Sequence, residues 1–456
     1  LDTAVQLIRR RAPDFALSRI PLDDAKTFEM LARGETVGVF QVESAGMRRA
    51  LVDMRPDRFE DIIALVALYR PGPMANIPTY CARKQGTERP DYIHPKLEPI
   101  LRETFGVIIY QEQVMQIAQV LAGYSLGEAD LLRRAMGKKI RAEMDKQRER
   151  FVSGAVERGI DKAQADFIFD LLARFADYGF NKSHAAAYAL VAYQTAYMKA
   201  NYPVEFLAAS MTLDMGNTDK LADFRAEAQR LGIKIAPPSV NASGVDFDVK
   251  GETIHYALAA LKGIGRQAVE AIVTARGDRP FADLADFARR IDPRAVNKRV
   301  LESLAAAGAF DPLERDRARV FAATEQMLAE AQRQYEATSS GAMEFSFGGP
   351  GNAGALRLPA AETWLPADRL QREYDAIGFF LSGHPLDDYA HLLKRLRLQS
   401  WAEFARAVKA GATAGRLAAT VVSRTERRTK TGNKMGIIGL SDPSGHYEAV
   451  IFNEGL

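Results

Sequence analysis

The sequence has 456 residues, of which 47% are hydrophobic and 26% charged, and these proportions exclude disordered and fibrous classes of protein. That length exceeds what one ordinary core supports, so we expect two to four domains. The formal net charge of only +3 excludes a uniformly basic surface, so any nucleic-acid-binding surface has to be a local cluster of cations.

Cysteine usage and the apolar runs indicate the compartment. Cys81 is the only cysteine, which excludes an internal disulfide framework and suits a reducing cytoplasm. The longest apolar run, residues 61–69, is too short for a membrane span, and no signal peptide is present. We therefore expect a cytoplasmic protein with no membrane partner. The chain opens on Leu1 inside a helical pattern and closes at 446–456 on an alternating strand, so we expect a piece of a longer polypeptide.

Apolar residues at three- and four-residue spacing predict an α-rich region from about residue 20 to 235. Within it, Ser125 and Glu128 form a capping-box pattern that begins a helix, and Gly137 predicts its end. Four cations lie close together near that end: Arg133, Arg134, Lys138 and Lys139. Cations at a helix C-terminus usually just complement the helix dipole. Their density here favours a phosphate-bearing ligand, because guanidinium groups bind phosphate oxygens in pairs.

The second candidate segment is 177–203, where Ser183 is positioned to cap a helix that Pro203 ends. The predicted apolar face of that helix consists of Ala187, Leu190, Val191 and Tyr197. Ser183 and His184 lie at the amino end, where backbone N–H groups favour anions, and Tyr188 follows one turn later. Two interpretations stay open: an ordinary cap with a surface histidine and a core tyrosine, or a site that binds phosphate and stacks on a base.

The third candidate follows a β-hairpin, which residues 244–258 predict by their alternation of polar and apolar side chains. Gly263, Ile264 and Gly265, followed by a helical pattern, match a helix-hairpin-helix. Its glycines would let backbone amides approach a phosphate whatever the base sequence. The flanking cations are Lys262 and Arg266. A glycine hairpin between helices needs no ligand, so a structural role stays open as well.

The C-terminal part predicts a linker, a helical piece and a small sheet. Residues 336–362 are rich in Gly, Ala and Ser without periodicity, as in flexible linkers. Alternating segments within 415–456 suit the first strands of an oligonucleotide-binding barrel whose closing strands are absent. No Cys/His spacing fits zinc, and Asp246 and Asp248, alternate on one strand, are interpreted as solvated carboxylates, so no metal site is expected.

Long motifs run through the chain: "TVGVFQVESAGMRRAL", "DIIALVALYRPGPM", "GVIIYQEQVMQIAQVLAGYSLGEADLLRRAMGKK", "FNKSHAAAYALVAYQTAYMKANYPVEFLAA", "LKGIGRQAVEAI", "NKRVLESLAAAGAFD" and "GFFLSGHPLDDY". In this order they resemble the alpha subunits of bacterial replicative DNA polymerase III, which are C-family DNA polymerases. The resemblance covers nearly the whole chain.

The resemblance implies a multidomain, mainly α fold with a small β-hairpin and a C-terminal partial antiparallel β-barrel (OB-fold). Its layout would be the end of the palm at 1–20, the fingers at 21–235, a duplex-binding domain with the helix-hairpin-helix at 236–335, a flexible linker at 336–365, a helical connector at 366–404 and an incomplete OB-fold at 405–456. The catalytic palm aspartates and the Mg2+ that they hold would lie outside this sequence.

The resemblance also implies roles for single residues. Arg133 and Arg134 match fingers arginines that approach the triphosphate of the incoming dNTP. The full set of implied nucleotide-binding residues is Arg133, Arg134, Lys138, Lys139, Ser183, His184, Tyr188 and Arg70. Among these, Arg70 and the two lysines match less strongly, and they either contact DNA or brace the domain. The implied DNA-binding residues are Lys262, Gly263, Gly265 and Arg266.

Phe345 and Phe347 stand where the family carries its sliding-clamp peptide, but the usual glutamine is missing. The function implied by the resemblance is part of a replicative DNA polymerase whose partners are primer-template DNA, the incoming dNTP, the sliding clamp and other replicase subunits. Without the palm aspartates, the piece itself is expected to be inactive. The rival hypothesis is a non-catalytic nucleic-acid-binding or scaffold module.

Overall fold

The computed structural model describes residues 1–138, 141–176, 179–339, 356–428 and 433–452. The chain divides into two compact units. The first is Ala12–Pro203 together with Leu1, and the second combines Asp2–Arg11 with Val204–Leu456. Within the described ranges, every helix is too short or too polar to span a lipid bilayer.

The first unit is built from helices, which confirms the α-rich prediction for this part of the chain. Helix α1 (Asp2–Arg9) precedes it and belongs to the second unit. The helices of the first unit are α2 (Ala25–Ala32), α3 (Ala45–Met54), α4 (Phe59–Leu68), α5 (Ile77–Lys84), α6 (Glu98–Leu101), α7 (Gln111–Ala122), α8 (Leu126–Lys138), α9 (Arg141–Val156), α10 (Lys162–Ala176) and α11 (Lys182–Asn201).

Two apolar clusters fill this unit. One surrounds α4 and α11 and includes Leu65 and Tyr193, both with no exposed surface. The other surrounds α7 and α9 and includes Leu121 and Phe151, which are equally buried. Burying each such side chain contributes roughly 1.5–3 kcal/mol, so these clusters hold the two groups of helices together.

The buried face of α11 differs from the predicted one. The residues that pack against the core are Ala185, Ala189, Ala192, Tyr193 and Ala196. Ala187 and Leu190 are exposed, and Val191 and Tyr197 are only partly buried. The prediction is confirmed for Tyr197, which packs against the core, and is wrong for Ala187 and Leu190. Alanines along one face let α11 approach α4 closely, with Tyr193 packed beside them, while Leu190 points away from the core.

The second unit follows α1 with helices and two small sheets. Its elements are α12 (Pro203–Leu213), α13 (Thr218–Arg230), β1 (Lys234–Ala236), β2 (Asp248–Lys250), β3 (Thr253–His255), α14 (Arg266–Arg276), α15 (Leu284–Arg290), α16 (Lys298–Ala306), α17 (Arg317–Ala322), α18 (Thr324–Ser339), α19 (Pro366–Ile377), α20 (Ala390–Arg395), α21 (Trp401–Lys409), β4 (Thr420–Arg428), β5 (Lys434–Asp442) and β6 (Gly445–Phe452).

The first sheet contains the predicted hairpin and one further strand. Strands β2 and β3 pair antiparallel, with Val249 opposite Ile254, as the alternation predicts. Strand β1 adds to the other side of β3 in parallel, with Ile235 opposite Ile254. Three residues of β1 beside a proline turn carry too little alternation to signal a strand, so this pairing comes from the tertiary structure.

The C-terminal sheet is antiparallel in the order β4-β5-β6, in agreement with the three predicted strands. The described strands do not close into a barrel, which fits the incomplete OB-fold. The predicted linker begins too early, because α18 continues to Ser339 and its residues 336–339 are helical. Residues 336–339 follow directly on the preceding turn of α18, and their helix propensity lets the helix continue. Their composition alone suggests a linker.

Candidate functional site

The start of α11 is held against the start of α7. The Phe180 N–H donates to the Ile109 carbonyl at 3.2 Å, and the Gln111 N–H donates to the Phe180 carbonyl at 3.0 Å. The Gln111 side-chain amide also donates to the Gly179 carbonyl at 3.0 Å. These bonds join segments that are 68 residues apart, so the loop before α11 has a fixed place beside α7.

Arg133 and Arg134 converge on one carboxylate. Asp130 Oδ1 lies 2.8 Å from Arg133 Nη2, and Asp130 Oδ2 lies 2.8 Å from Arg134 Nε. The hydrogen bond from Arg133 and the positive charge of both guanidiniums hold the pKa of Asp130 below its ordinary value. Consecutive helical residues point about 100° apart, but a carboxylate three and four positions earlier brings the two guanidiniums together.

Arg133 connects this pair to the start of α11. Its Nη1 donates to Gln111 Oε1 at 3.4 Å, and Gln111 is the residue that holds Gly179. The side chains of Arg133 and Arg134 are 34% and 62% exposed. The two guanidiniums are therefore accessible to a ligand beside the loop that precedes α11.

The N-cap of α11 is Asn181, so the prediction that Ser183 caps this helix is wrong. Asn181 Oδ1 accepts the His184 N–H at 2.8 Å, and Ser183 lies inside the first turn. The Lys182 N–H donates to the two oxygens of Glu112 at 3.1 and 3.0 Å. A carboxylate of the protein thus occupies the anion position at this helix end. Phosphate recognition has to come from neighbouring cationic side chains instead.

A row of aromatic rings follows the exposed side of α11. The centroids of Phe180 and His184 are 5.4 Å apart, and those of His184 and Tyr188 are 4.6 Å apart. Tyr188 stacks on Phe40 at 5.9 Å with 28° between the planes. The Arg70 guanidinium lies 4.3 Å from the Phe180 centroid. Tyr188 and Phe40 are 38% and 39% exposed, so Tyr188 is not a core residue.

Four members of this arrangement are not among the site residues predicted from the sequence: Phe40, Gln111, Asp130 and Phe180. Asp130 does have a sequence signal, because an acidic residue three and four positions before two arginines on one helix predicts ion pairs. Phe40 and Gln111 have none, since their partners lie on distant segments. They are found only from the packed structure.

The glycine loop before α14 has the predicted hairpin form, with a short 3-10 turn at Leu258–Ala260 on its other side. Gly263 has φ of +78°, and a Cβ there would come 3.1 Å from Arg299 Nε. Gly265 is the N-cap of α14, and a Cβ there would meet no atom within 4 Å. Gly263 is therefore required by the fold, whereas Gly265 leaves open space beside the helix start.

The two cations predicted for this loop have partners within the protein. Arg266 donates to both oxygens of Asp246 at 2.8 and 3.0 Å and to Glu270 at 3.1 Å. Lys262 Nζ lies 5.8 Å from the Tyr374 centroid. Asp246 is thus an ion-pair partner, as is Asp248, which binds the Arg10 guanidinium, and both carboxylates remain partly exposed to solvent, at 40% and 31%.

Two further predictions lie partly or wholly beyond what the structure describes. Lys139, Phe345 and Phe347 are outside the described residues, and Lys138 is described only as the last residue of the α8 backbone. Across the described ranges, no group of three or more His, Cys, Asp or Glu side chains is placed to hold a metal ion.

Comparison with known proteins assigns the chain to a family. The sequence model of the bacterial DNA polymerase III alpha subunit finger domain matches residues 1–159, and a helix-hairpin-helix motif model matches residues 232–320. The DNA polymerase III subunit alpha of Caulobacter vibrioides (strain NA1000 / CB15N) is 51% identical over 100% of this chain and 40% of its own length.

Other relatives carry the same name. The DNA polymerase III subunit alpha of Thermus aquaticus is 46% identical over 99% of this chain and 37% of its own length. That of Rickettsia bellii (strain RML369-C) is 41% identical over 98% of this chain and 40% of its own length. The chain therefore spans about two fifths of the length of these relatives. With identity this high along its whole length, the chain belongs to the family of bacterial DNA polymerase III alpha subunits.

Proposed function

We propose that this chain is the nucleotide-binding and DNA-gripping part of a replicative DNA polymerase, which transfers a deoxynucleotide to a primer 3′-hydroxyl. The observation that carries this proposal is the pair Arg133 and Arg134, joined by Asp130 and set beside the loop that precedes α11. The relatives, which are named as DNA polymerase III alpha subunits, support the same activity.

The paired guanidiniums suit a triphosphate. Each can direct two N–H groups at phosphate oxygens, and charge-assisted hydrogen bonds of this kind contribute about 1.5–3 kcal/mol. Asp130 offsets the repulsion between Arg133 and Arg134 before a nucleotide arrives and keeps both groups oriented. Phosphoryl transfer depends mostly on positioning and charge neutralisation, which is the contribution that these residues make.

The aromatic row supplies the other half of nucleotide recognition. His184 and Tyr188 are exposed, with ring centroids 4.6 Å apart, and in our proposal these aromatic side chains stack on the base. Ser183 and Arg70 lie at the same end of α11, where they border the nucleotide in our proposal. Lys138 and Lys139 extend the cationic segment in sequence.

In such enzymes Mg2+ activates the 3′-hydroxyl and stabilises the leaving pyrophosphate. The described residues of this chain supply no fitting set of ligands. We therefore assign to this chain the binding and orientation of the dNTP and of primer-template DNA, and no metal-dependent step.

The remaining assignments follow the family layout. In our proposal residues 1–20 end the palm, 21–235 form the fingers, 236–335 grip the duplex through Lys262, Gly263, Gly265 and Arg266, and 405–456 begin the OB-fold. In the same proposal the linker follows the end of α18 at Ser339 and extends to residue 365, and 366–404 is the connector. We propose the cytoplasm as the location and the sliding clamp and other replicase subunits as partners, with Phe345 and Phe347 as clamp contacts.

The test is nucleotide binding by arginine variants. Titration of the chain and primer-template DNA with a fluorescent dNTP should give an affinity that Arg133→Ala and Arg134→Ala each weaken by about tenfold or more. Arg148→Ala is the matched control, because Arg148 is similarly exposed and paired with Asp166 and Asp170, yet it lies on α9.

The rival function is a nucleic-acid-binding or scaffold module without a nucleotide site. It predicts that the arginine variants bind the dNTP as the parent chain does. Unchanged nucleotide affinity combined with a lower midpoint of thermal unfolding would favour the helix-dipole interpretation of these cations.

A further inference from the structure

A cavity of about 170 Å³ opens in the second unit. Its walls come from α13, from the segment 379–387 that follows α19, and from the turn between β5 and β6. The polar groups of these walls include Arg225 of α13, His384 of the intervening segment and His446 at the start of β6. This cavity uses none of the residues proposed to bind the dNTP or the duplex.

Two nitrogen-bearing groups that line this cavity have no hydrogen-bond partner among the described residues. Among the described residues, none forms a hydrogen bond or an ion pair with the Arg225 guanidinium, although the carboxylates of Glu373 and Asp387 lie close enough to act on it through space. His446 Nε2 is buried and, within the same ranges, has no hydrogen-bond partner. An unpaired ring nitrogen that is buried is unfavourable, and the partly buried Arg225 guanidinium beside it carries a positive charge, so a complementary anion would be stabilising.

The acidic side chains near the cavity are engaged elsewhere. Asp387 Oδ2 accepts the His384 N–H at 2.6 Å. The Asp442 carboxylate accepts the N–H groups of Trp401 and Ser444 at 2.5 and 2.8 Å. Both carboxylates line the cavity, and Asp387 acts on Arg225 through space, but among the described residues neither bonds to its guanidinium.

Glu373 has its own cation. Its Oε2 lies 3.0 Å from Arg317 Nη1, and its Oε1 accepts the N–H groups of Leu381 and Ser382 at 3.1 and 2.7 Å. This bonding fixes the segment that carries His384. The walls of the cavity are therefore held in place by bonds that do not involve Arg225 or His446.

We propose that this cavity binds one tetrahedral oxyanion of the phosphate class, held by the Arg225 guanidinium and by His446 Nε2. A guanidinium presents parallel N–H groups that match two phosphate oxygens. The volume suits a single such group. His384 supports the site from one side, since its Nδ1 accepts the Leu386 N–H at 3.1 Å and its Nε2 lies 3.2 Å from Ser441 Oγ.

Binding should be coupled to proton uptake. Burial lowers the pKa of His446, and Arg225 lowers it further, while Asp219 and Asp442 act in the opposite direction. Burial also lowers the pKa of His384 against the effect of Asp387 and Asp442. An oxyanion in the cavity favours the protonated imidazole, so affinity should rise on acidification.

The first experiment uses calorimetric titration of the chain with sodium sulfate at constant ionic strength. Sulfate keeps its charge over this range, so any pH dependence belongs to the protein. We expect one site per chain, with affinity several-fold higher at about pH 6 than at about pH 8. Arg225→Gln and His446→Phe should weaken binding by roughly tenfold or more. Absence of saturable binding to the parent chain would overturn the proposal.

Matched variants separate binding from folding. Arg369→Gln removes an exposed arginine of α19 and should bind sulfate as the parent does. Arg225→Lys keeps the charge but loses the paired N–H geometry, so it should still bind more weakly than the parent chain. Circular dichroism checks that each variant is folded. Equal affinities of parent, Arg225→Lys and Arg225→Gln would contradict the proposal.

A second pair of titrations identifies the source of the phosphate. Inorganic phosphate and a short single-stranded DNA are each titrated into the parent chain and into Arg225→Gln. If Arg225→Gln loses affinity for inorganic phosphate but binds the DNA as the parent does, the cavity binds a free anion. Loss of affinity for both, with phosphate displacing the DNA, assigns it to a phosphate of nucleic acid. If neither affinity depends on Arg225, the cavity is not an oxyanion site.

Discussion

Two guanidiniums placed side by side repel each other, and Asp130 offsets this repulsion in the first unit. Its two oxygens lie 2.8 Å from Arg133 and Arg134, whose side chains remain 34% and 62% exposed. A triphosphate that binds from the solvent side would add further negative charge next to the two guanidiniums. Arg225 in the second unit differs from these two arginines, because among the described residues no carboxylate bonds to its guanidinium. Burial lowers the pKa of Arg225.

Histidines of the second unit should make its stability depend on pH. Burial lowers the pKa of His384, His446 and His255 below the ordinary value of 6.5. Because the folded-state pKa is the lower one, the contribution to stability is present above pH 6.5 and is lost as the pH falls through the folded-state pKa values. Urea unfolding followed by circular dichroism should show this decline.

His446→Phe should make the same curve flatter, because one of the depressed groups is removed. The measurement is done without sulfate or phosphate, since an oxyanion bound in the cavity would favour the protonated histidines. A stability curve that stays flat below pH 6.5 in the parent chain would show that these histidines do not titrate on unfolding.

Among helices and strands, local sequence predicted the elements better than their buried faces. The capping box of α8 forms as expected, with the Ser125 N–H donating to Glu128 at 2.7 Å and the Glu128 N–H donating to Ser125 at 3.2 Å. The buried face of α11 is instead set by its neighbour α4, against which the alanines of α11 pack. Leu190 lies on another face and is 39% exposed. A capping box depends on residues three apart, whereas a buried face depends on the surface that the helix meets.

The two glycines of the hairpin before α14 should respond differently to substitution. Gly265→Ala meets no atom within 4 Å, so the free energy of unfolding should change little. Gly263→Ala places a Cβ near Arg299 at φ +78°, which should destabilise the chain by about 1 kcal/mol or more. If the hairpin grips DNA through its backbone, Gly265→Ala should nevertheless weaken duplex binding several-fold.

Gel-shift titrations with duplex DNA and thermal unfolding of both variants check this prediction. Gly251→Ala is a suitable control for strain alone, because Gly251 also has positive φ but lies in the β2–β3 turn. Unchanged duplex affinity in Gly265→Ala would mean that the hairpin has a structural role only.

The chain as a whole combines two compact units and covers about two fifths of its relatives. The first unit carries the arginine pair and the aromatic row, and the second carries the glycine hairpin and the oxyanion cavity. Each unit thus has its own candidate contacts with nucleotide or phosphate. Within the described ranges neither unit offers a group of metal ligands.

Because our proposal places the catalytic palm aspartates outside this sequence, we expect that the purified chain does not extend a primer in the presence of magnesium, while it still binds primer-template DNA. A primer-extension assay with labelled primer checks this, with the full-length Caulobacter vibrioides relative as the positive control. Extension by the chain alone would contradict our assignment of catalysis to residues outside this sequence.

Motifs and periodicity were enough to identify the family, the mainly helical character of residues from about 20 to 235 and the three C-terminal strands, because each depends on residues that are close in sequence. The sites required more. Arg133 meets Gln111 across 22 residues, Gln111 meets Gly179 across 68, and Phe40 stacks on Tyr188 from a distant segment. The cavity at Arg225 and His446 likewise joins α13 to β6. Contacts between such distant residues are set by the packing of whole helices, so the local spacing of residues does not predict them.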